Sequence, residues 1–102
     1  PAPPANDGGG PPHGAPDHNR AIDNRAREVR AQGAIDIRKN QTQTDAQRNR
    51  VGDNRPDLGY TDRDGVRHNE EWGRDQGRLD RQGQVARQND PSCVTSSTCL
   101  LN

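Results

Sequence analysis

The chain has 102 residues, of which 25% are hydrophobic, 29% charged and 2% aromatic, and its 15 basic and 15 acidic side chains cancel. Leu, Ile, Val and Phe together number twelve, well under the roughly 20% at which disorder becomes the default reading, and burying them returns about a third of the conformational entropy lost on ordering the chain. This argues against a self-sufficient globular core, a conventional enzyme pocket and a transmembrane segment, because no apolar run approaches the roughly 18 residues a span needs. Zero net charge removes the bulk electrostatic case for a nucleic-acid or membrane-surface partner.

Residues 1–19 hold six of the eight prolines and four of the eleven glycines. They read as a flexible arm, with His13 and His18 as solvated linker histidines.

Between residues 20 and 51 apolar or small side chains recur at helical intervals. Ile22, Ala26, Val29, Gly33 and Ile37 fall on one face, and Asn40, Thr44 and Val51 continue it. The stripe is too thin to hold one helix by itself. It predicts a weak amphipathic helix whose seam, Ile22, Ala26, Val29, Gly33, Ile37 and Val51, closes as a coiled coil in an oligomer, with Asn40 setting register. Asn40-Gln41-Thr42 is an acceptor sequon for a eukaryotic secretory route.

Gly52-Asp53-Asn54-Arg55-Pro56 is a dense turn cluster. Beyond it, residues 52–90 read as a polar segment in which Gly65, Gly73, Gly77 and Gly83 interrupt Leu58, Val66, Trp72, Leu79 and Val85. A broken helix is preferred to a strand, because β-branched residues are scarce. If it is helical, Arg63, Arg67, Arg74, Arg78 and Arg81 form a weak basic stripe, although Glu70 and Glu71 lie in or beside it, and a solvated, salt-bridged face is the expectation. Asp62-Arg63-Asp64-Gly65 with Glu71 has some features of a calcium loop, but Tyr60 stands where the first carboxylate belongs and Arg67 where an apolar anchor belongs. No metal site, cofactor or catalytic constellation is expected.

Residues 91–102 carry no charge and contain both cysteines. Cys93 and Cys99 are candidates for a disulfide or another modification. A bridged ring, Cys93 to Cys99 with Ser97-Thr98 before the second cysteine and Leu100-Leu101 after it, resembles that of calcitonin-type hormones, though the following helix and amidated end are missing. Dehydrated Ser and Thr trapped by the thiols, as in a modified core peptide, is a second route. Cys99-Leu100-Leu101-Asn102 also has the form of a prenylation box.

The sequence thus predicts a largely disordered or elongated chain whose central helix, about 20–51, orders on self-association. Its expected role is non-enzymatic: a linker, stalk or fibre segment that partners itself or a larger assembly rather than nucleic acid, at a particle surface or outside the cell. The alternative is a secreted or modified precursor whose active peptide is 91–102.

Overall fold

Ile22, Ala26 and Val29 are buried, but in the chain's own core and not in an interhelical seam. The computed structural model describes residues 16–100, so most of the proline-rich arm, His13 and the end of the prenylation box lie outside the described residues. Helix α1, Pro16–Ala31, turns its apolar face inward and leaves its charges outside. His18, expected in a solvated linker, is a buried member of its first turns.

Gly33 ends α1 instead of continuing its stripe. Its φ of 96° lies in the left-handed region, and Gly33 N–H donates to the Arg30 carbonyl at 3.0 Å while Ala34 N–H donates to the Val29 carbonyl at 3.0 Å. These are the two bonds of a Schellman stop. A Cβ at Gly33 would also fall 2.5 Å from the Arg63 side chain. Gly33→Ala is therefore expected to lower stability by about 1–2 kcal/mol in urea titrations; in the helix interior predicted from sequence it would have raised it by about 1 kcal/mol.

Four strands follow in a mixed sheet of order β1-β2-β3-β4: β1 Ile35–Lys39, β2 Leu58–Thr61, β3 Arg67–Gly73 and β4 Val94–Cys99, with α2, Gln76–Asn89, inserted before the last. The first three strands run antiparallel to their neighbours, and α2 carries the chain across so that β4 pairs parallel to β3. Asp75 caps α2 by accepting from the Arg78 N–H at 3.2 Å. Leu79, Gly83 and Ala86 form its buried face.

Strand alternation separates the two sides of the sheet. Leu58, Tyr60, Glu70 and Trp72 lie on the α1 side, whereas Arg67, Asn69 and Glu71 lie on the other. The Cα radius of gyration of 12.6 Å matches the roughly 13 Å expected for a folded domain of 100 residues. This overturns the disordered or elongated reading and the coiled coil with it. Counting aliphatic residues missed the polar interior: among the described residues, ten polar or charged side chains are buried beside nine hydrophobic ones. Several of these find partners on neighbouring strands. Arg67, for example, donates to the Asp36 carbonyl at 2.9 Å and to Thr61 Oγ1 at 3.2 Å.

The remaining seam residues disperse. Ile37 is buried in β1, Asn40 has a φ of 51° in the loop after it, and Val51 is half-buried in that loop, which runs on to β2. The expected precursor tail is strand β4, built into the sheet, and both cysteines are free thiols. Cys93 and Cys99 lie six steps apart along an extended strand, about 20 Å, whereas a disulfide needs Cα atoms within about 7 Å. Among the described residues no helix is long and apolar enough to cross a membrane.

Candidate functional site

The hairpin β2–β3 is centred on Asp64, and Asp57 and Glu71 each lie seven residues from it. Leu58 pairs with Glu70, so one further step along the ladder sets Asp57 opposite Glu71. Like charges placed directly opposite repel. Glu71 is 3% exposed, and its carboxyl is pushed up to about 8, first by burial and then by the charge of Asp57; the backbone N–H of Asp57 offsets part of this. Asp57 Oδ2 accepts from the Trp72 N–H at 2.8 Å. His18 Nε2 lies 3.8 Å from the same oxygen and 2.6 Å from the Trp72 carbonyl. Helix α1 thus braces the acid pair at the end of β3.

The neighbouring Glu70 provides an internal control. On the opposite face it is fully neutralised: Arg25 Nε donates to its two oxygens at 3.2 and 3.1 Å, Tyr60 Oη at 2.7 Å and Trp72 Nε1 at 3.3 Å. This carboxylate, together with burial, pushes the Tyr60 phenol up to about 12. Glu71 has no such partner. Among the described residues it forms no ion pair, although Arg55, Arg78 and Arg81 line the same cleft of about 200 Å³.

A second cleft, about 510 Å³, opens on the Asp57 side and is lined by His18, Asp57, Trp72 and Arg74. Arg78 and Gln82, one turn apart on α2, line both clefts. The guanidinium groups of Arg55, Arg78 and Arg81 have no counter-ion among the described residues, whereas Arg74 pairs with Asp17 and donates to the Leu100 carbonyl. The site therefore sets two buried carboxyl groups, one of them holding its proton up to about pH 8, beside exposed guanidinium groups.

The predicted basic stripe is split by this arrangement. Arg74, Arg78 and Arg81 surround the clefts, Arg63 packs against Gly33 in the hairpin turn, and Arg67 is buried against Asp36. The suspected calcium loop is the β2–β3 turn itself: Asp62 Oδ1 accepts the Asp64 and Val66 N–H groups, its Oδ2 lies 2.7 Å from His68 Nε2, and Glu71 stands at the far end of β3. Sequence reasoning missed Asp57 and Glu71 as a pair. The signal was Asp64-Gly65 between two short segments, a hairpin signature that would have placed the two acids across from each other.

Among the described residues no group of three or more His, Cys, Asp or Glu side chains forms a self-sufficient metal cage. Two carboxylates suffice for Mg²⁺ or Mn²⁺, which commonly keep several waters and take further oxygens from a substrate phosphate. Comparison with family models, with curated proteins and with solved structures finds no match.

Proposed function

We propose that this chain is a divalent-cation-dependent phosphodiesterase acting on nucleic acid, in which Asp57 and Glu71 hold the cation and the arginines of α2 and of the loop before β2 receive the phosphates. The assembly and precursor roles expected from sequence presupposed a chain without a core, and the fold removes that premise. One observation carries it: Glu71, buried and opposite another acid, shares a cleft with three arginines that have no counter-ion among the described residues, and it pairs with none of them. A cation would neutralise the acids and an anionic phosphate the arginines, so a metal-bound phosphodiester fits both demands at once. Oxygen-only ligation favours a hard cation, which would polarise the phosphoryl oxygen and activate water. Zero net charge does not weigh against this, because the recognition is local and guanidinium groups match phosphate geometry.

Titration calorimetry with Mn²⁺ should give saturable binding, lost in Asp57→Asn and Glu71→Gln. A labelled oligonucleotide should be cleaved with Mg²⁺ or Mn²⁺, not with EDTA, and each variant should lose at least about a hundredfold in rate. Absence of Mn²⁺ binding in the intact protein would overturn the reading.

A further inference from the structure

We infer that the outer edge of β4 pairs with the same edge of a second copy of this chain, antiparallel about a two-fold axis at Ser96, to give one continuous sheet with four strands from each copy. No cation or phosphate enters this inference, which stands apart from the phosphodiesterase reading. The two edges of the sheet differ. β1 carries the devices that block edge pairing: its register breaks between Ile35 and Arg38, Asp36 has a φ of 51°, and Asp36, Arg38 and Lys39 set charge along it. β4 has none of them. It keeps unbroken register with β3 over six residues and contains no charge and no proline, and Val94, Ser96, Ser97 and Thr98 are exposed.

Leu100 N–H donates to the Gly73 carbonyl at 2.6 Å. Backbone groups alternate sides along a strand, so Ser96 and Thr98 also turn theirs to β3, while those of Thr95 and Ser97 point outward and have no partner among the described residues. A two-fold at Ser96 sets Thr95 opposite Ser97 of the second copy, and each such pair exchanges both of its backbone bonds. Charge then selects a second copy as the occupant. α2 lines a groove of about 260 Å³ along this edge with Asp80, Gln84 and Arg87. Arg87 stands at the Thr95 end, donating to Thr95 Oγ1 at 2.7 Å. Asp80 stands at the Ser97 end, where Gln76 donates to it at 2.9 Å and lies 3.4 Å from Ser97 Oγ. Neither charge has an ion pair among the described residues. The two-fold exchanges the ends, so Arg87 of each copy meets Asp80 of the other. α2 lies over β3 and β4 alike, about half a strand spacing inside β4, and the axis lies half a spacing outside it. The two α2 helices therefore stand about 10 Å apart, an ordinary packing distance.

The test joins sedimentation equilibrium to charge reversal and cysteine cross-linking. The purified protein should be a dimer at about 100 µM and dissociate on dilution. Asp80→Arg and Arg87→Asp should each raise the dissociation constant at least about tenfold, because like charges then face each other, and the double variant should return to within about threefold of the parent. Rescue by the double variant separates a lost contact from a lost fold. In a Cys99→Ser background, Ser96→Cys should cross-link on mild oxidation, since position 96 faces itself in a non-hydrogen-bonded pair with Cα atoms about 4.5 Å apart, within reach of a disulfide. Val94→Cys, exposed on the same strand, lies opposite Thr98 of the second copy and should stay reduced. A protein that remains monomeric at about 100 µM overturns the inference and leaves the edge to a strand of another protein. A dimer that is indifferent to both charge reversals, or that cross-links at position 94 as readily as at 96, overturns it as well, because the copies then meet elsewhere.

Discussion

Glu71→Gln is expected to make the protein more stable at high pH while abolishing cation binding and turnover. The wild-type carboxyl is pushed up to about 8 in the folded state, by burial and by Asp57, from an ordinary value of 4.5. A raised carboxyl means that the folded state binds the proton more tightly than the unfolded one. Its contribution is therefore fully present below about pH 4.5 and lost as pH rises through 8. The groups facing it are Asp57, which enforces this trend, and Arg55, Arg78 and Arg81, which form no ion pair that would reverse it. Urea denaturation should show wild-type stability falling between about pH 5 and 8, while the glutamine variant stays flatter and leads by a few kcal/mol at pH 9. Mn²⁺ should close the gap by stabilising the wild type alone, since a ligand that binds only the native state raises its stability. A variant that loses stability at every pH would show that Glu71 is an ordinary structural acid.

One residue away the sign reverses. Glu70→Gln removes the charge that Arg25, Tyr60 and Trp72 converge on, leaving the guanidinium without its counter-charge and an N–H donor where one acceptor oxygen stood. Breaking a buried, hydrogen-bonded ion pair from one side costs about 3 kcal/mol or more, and in a chain of this size each kcal/mol shifts the melting temperature by about 4–8 °C. A fall of more than about 10 °C by calorimetry is expected, with Mn²⁺ affinity changed far less, because this acid lies on the α1 face. Adjacent glutamates with opposite effects on stability would separate the acid that holds the fold from the acid held at the fold's expense.

Part of this was legible in the sequence. The spacing of Ile22, Ala26 and Val29 marks a true helix face, and its extension to Ile37 is a coincidence of periodicity, since Gly33 stops the helix and Ile37 reaches the same core from a strand. The strands were hidden because β2 and β3 are central: Arg67, Asn69, Glu70 and Glu71 make β3 read as solvent-exposed, yet all four are buried. Arg67 and Glu70 are held by partners on β1, β2 and α1 that appear only once register is set. Helix α2 was obscured by Gly77 and Gly83, of which Gly83 gives close approach to Thr95. The arginines were recognised as a group but assigned to one helix face, whereas a hairpin, a loop and a helix distribute them. The acid pair had no signature at short range, because its meaning lies in the ladder step that opposes residues fourteen apart.

The uncharged tail now has an electrostatic meaning. In the parallel ladder Glu70 stands beside Ser96 and Glu71 beside Ser97, so the strand that completes the sheet brings no cation to the exposed side of either acid. Ser97 Oγ is within 3.4 Å of Gln76 and lies on the same side of the sheet as Glu71. A lysine at position 97 could reach across and act as a tethered counter-ion, occupying by covalent attachment the place that a diffusible ion would otherwise compete for. The uncharged side chains of this strand supply no tethered counter-ion, and protons are then the chief rivals of any cation that arrives.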